Sequence, residues 1–319
     1  MGKTQTIRIG HLKIIDHLIM GDAVFRLGSD DASLQRAALE NIPMNSWEQM
    51  VDSLRRGDIS GAFITTPLAM DLFAAGLDIR LLMFVHRSGS VMVKNKKAGI
   101  KNLGDLKGKT VLIPHELSVQ HLLLHKLLGA ADLRLSPPNA PCTTPDEIRI
   151  ETASPFLVPQ MLKTDEEMDI GACMVPEPYG SQAIAEGGAD MFCTSDSLWK
   201  DHPCCGFVMQ AGFCQSHGTA IQELVRLFLQ SAQRLDSQTE DKILDCAQNF
   251  LGQKRDIARQ ALCNSGIDFN PQKLLPDKKK LDIIQTYMNK TMGIMPRTID
   301  LDAFVNDAYA IKAVTEINL

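Results

Sequence analysis

The chain opens on an alternation of apolar and polar residues, TIRIGHL, the pattern of a strand with one buried face. A strand over about Thr6 to Gly10 is predicted. From Trp47 to Arg56, residues Trp47, Met50, Val51 and Leu54 recur at helical spacing. Ser46 precedes them as an N-cap, with Gln49 three residues later. A turn at Gly57-Asp58 leads into the apolar strand GAFIT. Thr65-Thr66-Pro67 then opens a helix, because proline suits the first helical turn. Gly76 ends that helix, and a strand follows from Ile79 to Val85.

The same order returns further along. Val158 to Leu162 reads as a short helix, and Asp169-Ile170 leads into the strand GACMV. Glu177-Pro178 opens a helix that stops at Gly187-Gly188, before a strand at Met191 to Cys193. Nine residues separate Asp58 from Pro67, and nine separate Asp169 from Pro178. Two related α/β lobes, each with its own sheet, explain this recurrence. Between the copies lies another strand–helix unit, with a strand at Thr110 to Ile113 and a leucine-rich helix from Val119 to Leu128. Ser136 to Pro145 holds four prolines and reads as a surface loop. After Gly206 the pattern turns helical: Ala220–Leu235, Asp241–Leu251, Lys254–Cys263, Lys278–Thr291 and Phe304–Val314. This tail is expected to pack around one lobe.

Composition narrows the function. A chain of 319 residues has room for two lobes, and 45% hydrophobic against 22% charged residues is an ordinary globular balance. A net charge of −5 and the absence of a basic stripe exclude a nucleic-acid binder. Lys278, Lys279 and Lys280 stand beside Asp277 and Asp282 and read as a solvated helix start. No apolar run is long enough to span a membrane. The first residues lack a secretory signal, since His11, Lys13, Asp16 and His17 break the apolar stretch. A cytoplasmic protein, or one whose signal has been trimmed, is expected. None of the eight cysteines shows the CxxC spacing of a zinc site, which leans toward a reducing compartment.

In open α/β sheets, ligands sit outside the carboxyl ends of the strands. The residues there are His11, Asp16 and His17; Thr65 and Thr66; His86, Ser88 and Ser90; His115, Ser118, Gln120 and His121; Ser154; Glu177; and His202. Thr65-Thr66 and Ser118 stand at helix starts, where free N–H groups and the helix dipole favour an anion. Such hydroxyls also serve as plain helix caps. His11, Asp16 and His17, or His121 with His125, could hold a metal, but no third ligand of known spacing completes either set, and no metal and no cofactor are expected. Cys204-Cys205 beside His202 could form a nucleophile and base. Adjacent strand residues point to opposite faces, so packing is the reading preferred for them.

Three stretches carry a family resemblance: Asn102-Leu103-Gly104-Asp105-Leu106-Lys107-Gly108-Lys109-Thr110-Val111; Asp169 through Glu177-Pro178-Tyr179-Gly180 to Gly187-Gly188; and Ser197-Leu198-Trp199 through His202-Pro203-Cys204-Cys205. With Gly293-Ile294-Met295-Pro296 and Ile299-Asp300-Leu301-Asp302, the whole chain resembles the nitrate/sulfonate/taurine-type substrate-binding proteins of ABC transporters. The resemblance implies a type II periplasmic-binding-protein fold. Residues 1–87 and 206–319 would form lobe one and residues 88–205 lobe two, with crossing segments near Val85–Ser88 and Cys205–Val208. It implies a monomer that closes over a small anion (nitrate, sulfonate, bicarbonate or similar) without catalysis and is read by a permease. By position, the ligand contacts would be His11, Asp16, His17, Thr65, Thr66, His86, Ser88, Ser118 and Glu177. Two cytoplasmic enzymes share that fold and stand as alternatives: the pyrimidine-precursor synthase of thiamin biosynthesis, whose cysteine-rich run Cys204-Cys205 and Cys214 echo, and the menaquinone-pathway enzyme that dehydrates chorismate.

Overall fold

A computed structural model describes residues 4–237 and 240–317; the outermost positions of the expected lobe one lie outside this range. Among the described residues the chain forms ten strands: β1 (Gln5–His11), β2 (Ala37–Pro43), β3 (Gly61–Thr65), β4 (Ile79–Phe84), β5 (Ser90–Asn95), β6 (Thr110–Ile113), β7 (Arg149–Thr152), β8 (Ile170–Pro176), β9 (Ala189–Thr194) and β10 (Cys205–Gln210). The helices are α1 (Leu18–Gly28), α2 (Trp47–Arg56), α3 (Thr66–Ala74), α4 (Val119–Gly129), α5 (Val158–Thr164), α6 (Tyr179–Ala185), α7 (Ser195–Leu198), α8 (Ala211–Ser216), α9 (Gly218–Ser237), α10 (Glu240–Leu251), α11 (Arg255–Ser265), α12 (Lys278–Lys290), α13 (Leu301–Phe304) and α14 (Ala308–Ile317).

The strands form two five-stranded mixed sheets, ordered β2-β1-β3-β10-β4 and β7-β6-β8-β5-β9. The two orders correspond position by position. In each sheet the first three strands run parallel and the fourth runs antiparallel to both neighbours. Even the register shift recurs: Phe207/Val208 against β4 and Met92/Val93 against β9. The repeated sequence order is therefore a repeated topology, with β3 matching β8 and β4 matching β9.

The central strands carry long apolar runs because helices cover both faces of each sheet. Every residue of β3 is buried, and six of the seven residues of β8 are. Phe63 of β3, Phe207 of β10 and Phe228 of α9 pack edge to face, with ring centroids 5.1–5.6 Å apart. Removing one such ring from a core costs about 3–5 kcal/mol. Local signals set the helix starts. The Ser46 hydroxyl accepts from Gln49 N–H, and Gln49 Oε1 accepts from Asn45 N–H, fixing where α2 begins.

Two sequence expectations are corrected. The helical tail packs on both sheets' helices, not around one: α9 lies on α1 and β2, while α11 rests on α6 and β5, and α12 touches α3 and α4. The apolar stripe of α11, with Ile257, Ala258 and Ala261, finds its cover across the gap. The closing helix is also two pieces, α13 and α14. Val305 pairs with Leu81, and Asn306 N–H donates to the Leu81 carbonyl, so the backbone there extends the edge of the first sheet.

The chain passes from the first sheet to the second between Phe84 and Ser90, and returns between Thr194 and Cys205. The two crossings run side by side: Val85 N–H donates to Cys205 O, and Ser88 N–H to His202 O. The return crossing thus falls before β10 begins.

Candidate functional site

The carboxyl ends of β1, β3 and β8 converge on the gap between the sheets. The loop after β1 is fastened across it. Ile15 N–H donates to Glu177 O at 2.9 Å, and the Tyr179 hydroxyl donates to Lys13 O at 2.9 Å. Inside this closure sit Asp16 and His17, both buried, on a single 3-10 turn that leads into α1.

His17 is oriented by the backbone. Leu12 N–H donates to His17 Nδ1 at 3.0 Å. The Leu12 carbonyl oxygen lies 3.2 Å from the same nitrogen, so the backbone of one residue grips Nδ1 from both its N–H and its C=O and leaves Nε2 free to face a ligand. Burial, followed by the nearby His11 and His86, holds the ring well below its usual pKa and so keeps it neutral. Trp47 and Phe63 meet the ring edge-on, with centroids 6.1 and 5.5 Å away. His17 Nε2 has no hydrogen-bond partner among the described residues, and neither has Trp47 Nε1.

The β3–α3 junction adds two more donors. Thr65 is the residue before α3 but makes no side-chain cap, and Thr66 N–H donates to Cys204 O at 2.8 Å. Both hydroxyls are buried, and neither has a partner among the described residues. The capping explanation fails for these two threonines. It holds for Ser118, whose hydroxyl accepts from His121 N–H at 3.2 Å and caps α4.

Next to the threonines lies a second group. Asp16 Oδ2 stands 3.4 Å from His86 Nε2 and 4.0 Å from Cys204 Sγ. Cys205 N–H donates to His86 Nε2 at 3.2 Å. Burial first, then the neighbouring Cys204 and Glu177, push the Asp16 carboxyl well above the usual range and favour its neutral form. Burial likewise raises Cys205. Asp16, His86, Cys204 and Cys205 each bring a metal-ligating atom within 4.8 Å of the others. Alternation along a strand does not hold the two cysteines apart, because β10 begins at Cys205 and Cys204 lies outside the pleat. Gln120 links this group to the second sheet: its amide donates to Ser90 Oγ at 2.8 Å and lies 3.7 Å from Cys204 Sγ.

The remaining candidates make contacts of their own. The Ser88 hydroxyl donates to Asp196 Oδ1 at 2.7 Å beside the crossing. Glu177 binds the start of α6, accepting from Ser181 N–H at 2.8 Å and from the Ser181 hydroxyl at 2.7 Å; burial still lifts it to about 6. His11 stacks on Phe250 at 5.2 Å and lines a cavity of about 640 Å³ between α1, β2 and α10. His121 and His125 bond to Glu116 O and to the Tyr287 hydroxyl. In the sequence Trp47 is one apolar residue of a helical stripe, which hides its indole N–H as a buried group without a partner among the described residues.

Two five-stranded mixed sheets of one strand order, joined by two crossings that run side by side, make this a type II periplasmic-binding-protein fold. The chain belongs to the NMT1-like family, whose sequence model matches residues 3–250. It is similar to the ligand-binding component of an ABC-type import system from Staphylococcus aureus, solved with zinc bound, at 22% identity and a TM-score of 0.83, covering 97% of this chain and 99% of that one. The periplasmic nitrate-binding protein NrtA from Synechocystis PCC 6803 shares 15% identity and a TM-score of 0.81, over 99% and 89% of the two chains. The periplasmic aliphatic sulphonate-binding protein SsuA from Escherichia coli shares 16% and 0.71, over 97% and 100%. These relatives are binding proteins rather than enzymes. No curated protein matches the sequence. No helix among the described residues is long and apolar enough to cross a membrane.

Proposed function

We propose that this protein is the solute-binding component of an ABC importer, closing two lobes over a small oxyanion and releasing it unchanged. Residues 1–87 with 206–319 form one lobe and residues 88–205 the other, acting as a monomer outside the cytoplasm and read by a permease. The observation that carries the reading is a set of four buried polar groups without partners among the described residues: His17 Nε2, Trp47 Nε1 and the hydroxyls of Thr65 and Thr66. A buried polar group left unpaired costs about 1–3 kcal/mol, and a ligand that accepts from all four recovers that cost. An oxyanion has acceptors on every side, and the N-terminus of α3 adds a favourable dipole. A neutral His17 and an Asp16 held toward its neutral form neither trap nor repel the charge. Nitrate and aliphatic sulphonate, for which two of the relatives are named, are of this class.

A thermal-shift screen of nitrate, bicarbonate, short sulfonates and carboxylates tests the proposal. A true ligand raises the melting temperature with concentration, by mass action. If none of these anions shifts the melting temperature, while a neutral or cationic solute does, the oxyanion reading falls.

A further inference from the structure

Asp16, His86, Cys204 and Cys205 are at most 1% exposed and reach one small volume from three separate segments: the turn after β1, the crossing after β4 and the entry to β10. Two of their polar atoms, Asp16 Oδ1 and His86 Nδ1, have no partner among the described residues. Both face Gly89. A side chain at that position would collide with Asp16 Oδ1 and stand 3.1 Å from His86 Nδ1, so only glycine lets the backbone approach them this closely. Gln120 adds a donor at Cys204 Sγ, the kind of outer contact that orients a ligating sulfur.

From this constellation we propose that Asp16, His86, Cys204 and Cys205 form a four-ligand site for a thiophilic transition-metal ion of the zinc class. The donor set decides the class. Calcium and magnesium take oxygen ligands, whereas two sulfurs with one imidazole and one carboxylate suit zinc. A tetrahedral zinc holds such ligands at about 2.0–2.3 Å, which brings them closer together than the 4.8 Å that bounds the group here. The side chains therefore tighten on binding. Coordination through His86 Nε2, the nitrogen nearest Asp16 Oδ2, displaces the Cys205 N–H that donates to it. The thiols and the carboxyl give up their protons to solvent as the metal enters. Entry requires the sheets to part, because all four residues are buried. This site does not rest on the oxyanion reading: Asp16 borders both, but its four ligands hold the metal with no anion present.

The test uses the full chain, stripped with a chelator and titrated with zinc chloride and with cobalt chloride, with no anion from the solute screen present. One zinc ion binds per chain. Cobalt gives thiolate-to-metal charge-transfer bands in the near ultraviolet and the intense visible bands of a four-coordinate ion. Cys204→Ser, Cys205→Ser and His86→Ala each weaken zinc binding about 100-fold or more, beyond the loss typical of outer contacts. His125→Ala leaves it unchanged. Asp16→Asn keeps the shape and checks that loss of binding is not loss of folding, which circular dichroism reads for every variant. Cobalt binding without thiolate bands overturns the site. So does zinc affinity that survives the paired Cys204→Ser and Cys205→Ser change in a folded protein.

Discussion

The Tyr179 hydroxyl lies 2.9 Å from the carbonyl oxygen of Lys13, and this one hydrogen bond ties the start of α6 to the loop after β1. Phe156 holds the tyrosine ring edge-on, with centroids 5.0 Å apart. Tyr179→Phe keeps the ring and removes the bond, which is worth about 0.5–1.5 kcal/mol. The closed form loses that much support. Solute affinity drops about 2–10-fold, through faster dissociation, and stopped-flow fluorescence with calorimetry checks it.

Thr65→Val and Thr66→Val replace buried, unpartnered hydroxyls with methyl groups of the same shape. Solute affinity falls at least about tenfold for the pair, as two donors are lost. Ligand-free stability rises by about 1 kcal/mol, because nothing is left unpaired. Urea midpoints and isothermal titration read the two effects, whose opposite signs distinguish ligand donors from structural ones.

Ser118→Ala behaves in the reverse way. Its hydroxyl caps α4, so stability falls by about 1 kcal/mol while solute affinity stays within twofold. A large loss of affinity with unchanged stability would return Ser118 to the ligand site.

Glu177 gives a pH signature. Its carboxyl is lifted from an ordinary 4.5 to about 6, so its contribution to stability is fully present below pH 4.5 and is lost as pH rises through about 6. The loss amounts to about 2 kcal/mol. Glu177→Gln retains partners for the Ser181 backbone and hydroxyl and removes the titration. The difference in urea stability between the two proteins should therefore shift by that amount between pH 4 and pH 7. The comparison cancels His11, which burial holds at about 4 and whose effect runs the other way, with stability lost as pH falls below its ordinary 6.5.

Much of the fold could be read from the chain. GAFIT is β3 to the residue and Trp47–Arg56 is α2 to the residue, because apolar period and punctuation agreed at both. β2 escaped because it lies at a sheet edge and only Ala37 of its seven residues is buried, which leaves no period to read. β5 and β10 escaped for another reason: they are the strands just after each crossing, and only the folded topology says where they insert. Thr65, Thr66 and His17 of the proposed solute site, and Asp16 and His86 of the proposed metal site, stand out in the sequence by their place after strands. Ser118, Ser88 and Glu177 have the same placement but spend their polar atoms on His121, Asp196 and Ser181. Sequence cannot tell a hydroxyl that caps from one that waits. The meeting of Cys204 and Cys205 around His86 depends on where β10 starts, by a single residue.

The placement of β10 also sets an order of assembly. The second sheet is built from one uninterrupted stretch, β5 to β9, whereas the first needs its fourth strand from beyond that stretch. On a ribosome, the middle of the chain can complete its sheet while the earlier strands still wait, β3 and β4 exposing the edges between which β10 must insert. A truncation before Cys205 would strand those edges unpaired, leaving a sticky fragment rather than a smaller working protein.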